Sequence, residues 1–146
     1  MTTQPPAPRP CKSCPYRQDV PSGIWSESDY DKLIPYDSPT YAQPSSLFLC
    51  HQRDGADERA RVCAGWAGCH DMYESLALRI AHASGEVTLE TAEAIVDYVS
   101  PEPLFRSGAE AAAHGVREID NPGPEACAAI RKIERIRTDL TQESHR

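Results

Sequence analysis

The sequence predicts a mainly α fold, in which an irregular N-terminal four-cysteine metal module packs on a small helical bundle. Three observations predict it. Apolar residues recur at helical spacing only from about residue 68 onward, in segments bounded by capping residues, glycine and proline. Most of the 13 prolines, by contrast, fall in the first half, where no periodicity persists. Five of the six cysteines also lie in that half, between Cys11 and Cys69. No alternation of period two survives beyond a few residues, so no strand is expected.

A chain of 146 residues is the size of one domain. Residues 1–10 are polar and proline-rich and read as a disordered tail. Residues 11–140 read as a single domain, made of a cysteine module over 11–70 and a helical part over 71–140. Residues 141–146 read as a second tail. Hydrophobic residues make up 40% and mean hydropathy is −0.54, which allows only a thin core. A loop-rich, core-poor chain of this kind commonly relies on a staple, and bound metal is one.

In order along the chain, Pro21-Ser22-Gly23 is a turn signal. Ser26 then caps a short helix from Glu27 to Leu33, with Asp29 completing a capping box. Tyr36-Asp37-Ser38-Pro39 reads as a turn, and Leu47-Phe48-Leu49 as an apolar run leading into Cys50-His51. The charged residues 53–62 read as an exposed loop. From about Gly68 to Ala83 the spacing predicts a helix with Met72, Leu76, Ile80 and Ala83 on its inner face, stopped by Ser84-Gly85. Thr88 caps the next, with Leu89, Ala92, Val96 and Val99 inward. Ser107-Gly108-Ala109-Glu110 opens a third, with Ala109, Ala112, Ala113 and Val116 inward. After Asn121-Pro122-Gly123-Pro124, a fourth carries Cys127, Ile130, Ile133 and Ile136. Trp25, Tyr30, Tyr36 and Tyr41 read as core and loop anchors. Cys127 reads as core, and His82, His114 and His145 as ordinary surface or helix residues.

Net charge is −7, and residues 64–121 carry 3 basic against 10 acidic groups. Phosphate contacts drive nucleic-acid affinity, so nucleic acid is not expected as the main partner. The basic side of the last helix (Arg131, Lys132, Arg135, Arg137) reads as a solvated face. No apolar run is long enough to span a bilayer, and no secretory signal is visible at the N-terminus. The expected location is cytoplasmic, where clustered cysteines bind metal or do redox chemistry more often than they form disulfides.

Cys11-Lys12-Ser13-Cys14 has the Cys-x-x-Cys spacing that turns two sulfurs to one point. Cys50 and Cys63 are the expected other half, giving four thiolate ligands, with His51, Cys69 and His70 in reserve. Cys63-Ala64-Gly65-Trp66 fits a ligand followed by a tight turn, with the indole shielding the site, and Arg17 is placed to offset thiolate charge. Four thiolates suit zinc and iron–sulfur clusters alike. The absence of a second Cys-x-x-Cys knuckle and the Cys14-Pro15 step tilt the expectation toward a [4Fe-4S] cluster over Zn2+. No phosphate loop, nucleophile elbow or His-Glu-x-x-His zinc helix is present. A thioredoxin-like site would follow a buried strand, whereas this Cys-x-x-Cys follows a proline-rich tail.

Cys11-x-x-Cys14-Pro15-Tyr16-Arg17, Cys50-His51-Gln52 and Cys63-Ala64-Gly65-Trp66 together resemble an uncharacterised family of small cysteine-rich proteins from actinobacteria and their phages. The resemblance implies that Cys11, Cys14, Cys50, His51 and Cys63 are a shared core. Gly23-Ile24-Trp25 is more distantly similar to the turn by which WhiB-like iron–sulfur transcription factors contact a sigma factor, although in that family the turn follows the cluster ligands. The expected function is a non-enzymatic, metal-binding module with a protein partner, redox-responsive if it holds a cluster. A structural zinc scaffold is the alternative, and a thiol or iron–sulfur redox enzyme the third.

Overall fold

The computed structural model describes residues 2–50 and 60–136. Its fold is mainly α, as the periodicity predicts, and no strand longer than an isolated bridge is found among the described residues. Six α-helices follow one another: α1 (Glu27–Asp31), α2 (Ala64–Cys69), α3 (Leu76–Ser84), α4 (Leu89–Asp97), α5 (Gly108–Val116) and α6 (Pro124–Ile136). Single 3-10 turns cover Ile34–Asp37, Thr40–Ala42 and Met72–Glu74.

The capping residues act as their chemistry dictates. Ser26 Oγ accepts from Asp29 N at 3.2 Å, and Asp29 Oδ2 accepts from Ser26 N at 3.4 Å, so the capping box forms. Thr88 and Ser107 accept from Thr91 N and Glu110 N. Gly85 ends α3 with φ +82, the left-handed conformation that favours glycine. Helix α1 is shorter than expected, because Pro35 has no N–H to continue an α ladder and the chain tightens into the 3-10 turn Ile34–Asp37.

Two expectations need correction. The single helix from Gly68 to Ala83 is instead α2, an extended residue at His70 (ψ 159), the 3-10 turn Met72–Glu74 and α3. Asp71 and Ser75 each accept a backbone N–H there and compete with a continuous helix. The inner faces are also rotated. α3 buries Ala77, Leu78 and Ala81, while Ile80 and Ala83 are exposed. α4 buries Thr91, Ala92 and Ile95, leaving Leu89 and Val99 outside. α5 buries Ala111, Ala112 and Gly115.

The lead-in and the two proposed halves are interlocked. Residues 3–10, expected as a disordered tail, run along the surface: Thr3 N donates to Glu86 O, Gln4 N to Ala60 O, and Tyr98 Oη to Pro8 O. Gln18 N donates to Pro103 O and Phe105 N to Tyr16 O, stitching the cysteine region to the segment before α5. Helix α5 packs on α1 and on the turn Ile34–Asp37. Gly115 is required at that crossing, since a Cβ there would enter the Tyr30 ring. The core is therefore continuous, with Tyr16, Leu33, Val62, Trp66, Val87 and Ile95 fully enclosed.

Candidate metal centre

The first cysteine pair sits on a turn. Cys14 N donates to Cys11 O at 3.0 Å, and Arg17 N to Cys14 O at 3.1 Å, curling residues 11–17 so that both thiols lie together. Trp25 braces this turn from below: its buried indole Nε1 donates to Ser13 O at 2.8 Å. The second pair comes from two facing segments. Cys50 N donates to Arg61 O and Cys63 N to Phe48 O, both at 2.9 Å, around an antiparallel bridge between Leu49 and Val62. This pairing carries the two cysteines to the same side as the first turn.

Cys14 and Cys63 meet with their Sγ atoms 3.8 Å apart. The Cys11 thiol interacts with those of both Cys14 and Cys50. Cys50, Cys11, Cys14 and Cys63 are thus an unbroken chain of neighbouring thiols drawn from three backbone segments. Among the described residues, no three His, Cys, Asp or Glu side chains stand at the closed spacing of a formed metal site. The thiols adjoin one another in succession without closing on a common point.

Cys63 is followed directly by α2 and forms its N-cap, where a tight turn is expected from the sequence. The reason for Gly65 is now physical. A Cβ at that position would collide with Cys14 Sγ and stand 2.8 Å from Tyr16 Cβ, so only glycine lets α2 dock on the Cys11–Cys14 turn. The sequence places Gly65 in an expected tight turn, and the structure uses it for close packing of α2 on Cys14 and Tyr16. The Trp66 indole packs edge-on to Tyr36 with ring centroids 5.5 Å apart, in an aromatic wall shared with Tyr16, Phe48 and His70.

Electrostatics follow from this crowding. The neighbouring Cys14 thiol, ahead of burial, pushes the Cys11 thiol up to about 11. Cys14 is raised as well: its hydrogen bond with Cys11 favours the thiolate, but that with Cys63, together with burial, outweighs it. Arg17, expected to offset thiolate charge, is already engaged. It makes a two-pronged pair with Asp19 (2.8 and 2.7 Å), donates to Pro10 O and lies 3.5 Å from Glu102.

Of the reserve ligands, His51 lies outside the described residues. Cys69 and His70 end α2 and belong to a separate cleft of about 360 Å3 with Asp37, Asp71, Glu74 and Arg106. Burial pushes the Cys69 thiol up to about 12. His70 is lowered by burial, and its Nδ1 stands 3.9 Å from Asp37 Oδ1. Cys127 is half-buried on α6 and donates to Pro122 O. Of the expected aromatic anchors, Trp25 and Tyr30 are buried and Tyr36 is half-buried, but Tyr41 is 87% exposed. No helix among the described residues is long and apolar enough to cross a membrane.

No curated protein and no solved structure matches the chain. A family profile does match, over residues 6–137, and so covers all four neighbouring thiols and helices α1 to α6. The chain belongs to that family, a family of unknown function designated DUF6283.

Proposed function

We propose that this chain is a non-enzymatic metal-binding protein whose single centre is held by Cys11, Cys14, Cys50 and Cys63, and whose helical face engages a protein partner. The observation that carries the reading is the succession of four neighbouring thiols from three backbone segments, with Cys14 and Cys63 Sγ 3.8 Å apart. Crowded thiols repel as thiolates and make only weak hydrogen bonds when neutral. A bound cation converts the same crowding into metal–sulfur bonds and folding energy. The donor set fits zinc and iron–sulfur chemistry. The surroundings fit as well, because Gly65 places bare backbone beside Cys14 Sγ and leaves no side chain between α2 and the thiols.

The spacing favours a single ion. Zinc–sulfur bonds of about 2.3 Å in a tetrahedron put neighbouring sulfurs about 3.8 Å apart. In a four-iron cluster each cysteine takes its own iron and the sulfurs spread wider. Zinc therefore takes precedence over the [4Fe-4S] cluster suggested by Cys14-Pro15, and the module becomes a structural scaffold in a reducing compartment such as the cytoplasm. A cluster would make the same module redox-responsive. The thiol-enzyme reading ranks last, since a nucleophilic cysteine needs a lowered pKa and those of Cys11 and Cys14 are raised. The similarity to WhiB-like factors receives little support, because Trp25 is turned inward to Ser13.

The test is purification without air, followed by metal analysis and visible absorption. Colourless protein with one zinc per chain supports the scaffold. Brown protein with broad visible absorption transfers the centre to iron–sulfur. Metal-free protein that is fully folded in reductant overturns both.

A further inference from the structure

Among the described residues, three side chains carry buried polar atoms with no hydrogen-bond partner, Tyr16 Oη, Trp66 Nε1 and His70 Nε2, and the last two meet behind the aromatic wall. Both residues line the same small cavity, together with Tyr36, Gln43, Asp71, Met72 and Ser75. The cavity leaves about 10 Å3 for the centre of a water molecule to move in, which is room for one water. We infer that this cavity is a binding site for a single structural water, held by Trp66 Nε1–H and by the lone pair of His70 Nε2.

The partners suit a water and little else. An indole N–H only donates, whereas an imidazole nitrogen can accept, so a molecule that does both must stand between them. Ser75 and Gln43 line the same cavity with their polar side chains. Each accepts one backbone N–H, from Leu78 at 3.2 Å and Leu76 at 3.0 Å, and each keeps a lone pair for the second water hydrogen. Three partners is the usual number for a buried water.

The water also sets the state of His70. By donating to Nε2 it leaves the ring proton on Nδ1, the atom that faces Asp37 Oδ1 across 3.9 Å. Asp37 in turn accepts from Gly108 N at 2.7 Å and Ala109 N at 2.9 Å, at the start of α5. His70 is thereby a positioning residue between the end of α2 and the Asp37 carboxylate that caps α5. This inference stands apart from the identity of the metal.

The test uses nitrogen-15-labelled full-length protein in reductant at neutral pH. Long-range proton–nitrogen spectra are expected to show His70 protonated at Nδ1 and unprotonated at Nε2. The Trp66 indole proton is expected to show a cross-peak to a long-lived water. A His70 proton on Nε2, or an indole proton with no bound-water cross-peak, overturns the site. In folded Trp66→Phe protein the Nε2–H form should rise, because the water loses its donor and turns to accept. An unchanged tautomer in that variant also overturns it.

Discussion

Gly65 and Trp25 are the two residues through which the backbone fixes the thiol cluster, and each gives a prediction separable from ligand loss. Gly65→Ala forces a methyl group against Cys14 Sγ and Tyr16 Cβ. Overpacking of this kind costs about 1–3 kcal/mol, and here it parts Cys14 from Cys63. The expected outcome is a folded helical part with less than the wild-type metal content, read by circular dichroism and metal analysis. Trp25→Phe keeps the ring but removes the donor to Ser13 O. Loss of one hydrogen bond costs about 0.5–1.5 kcal/mol, so urea denaturation should show a loss of that size while all four neighbouring thiols remain. For the ligands themselves, Cys11→Ala or Cys63→Ala should release the metal. Cys127→Ala should retain it, because Cys127 lies on α6 with Pro122 O as its partner. Metal retained after either of the first two substitutions would mean that the centre is elsewhere.

The elements are set by their ends more than by their faces. Helix α5 begins with three independent acceptors: Ser107 Oγ for Glu110 N, and the two Asp37 oxygens for Gly108 N and Ala109 N. Ser107→Ala should cost about 1 kcal/mol, as loss of an N-cap does. Asp37→Ala should cost about 1–2 kcal/mol, because it removes two charge-assisted hydrogen bonds and a negative charge at a helix N-terminus. Denaturant midpoints should rank the two in that order, and the reverse order would refute the role of Asp37. Such ends are legible in the sequence because a cap is local chemistry: Ser26, Thr88 and Ser107 were all identifiable from composition alone. The inward faces were less so. In α5, Ala109 to Ala113 offer several alanine stripes of equal hydropathy, and Gly108 and Gly115 choose among them. Glycine marks where backbone meets Leu33 O and the Tyr30 ring, and no period of hydrophobicity records that.

At the scale of the whole molecule, the meeting of Cys11 and Cys14 was readable from the Cys-x-x-Cys spacing, whose two thiols are three residues apart. Cys50 and Cys63 were expected beside them, but what joins their segments was not legible, since it depends on the Leu49–Val62 bridge and on Gln4 pairing beside Arg61. Long-range pairings of this sort leave no local pattern, and the proline-rich lead-in hid its part in them. If the cluster holds the proposed metal, stability depends on pH in opposite senses with and without it. In the metal-free protein the Cys11 thiol is raised from an ordinary 9.0 to about 11, and Cys14 is raised as well. The folded state then holds protons that the unfolded chain releases near pH 9. The stability from these thiols is fully present below pH 9 and is lost as pH rises toward 11. In the loaded protein the ligands must be thiolates, so protons compete with the metal and stability is lost as pH falls. Thermal midpoints measured across pH for chelator-treated and metal-loaded protein should therefore diverge from pH 5 upward, and the metal-free midpoint should drop beyond pH 9. Two parallel curves would show that these four thiols bind no metal.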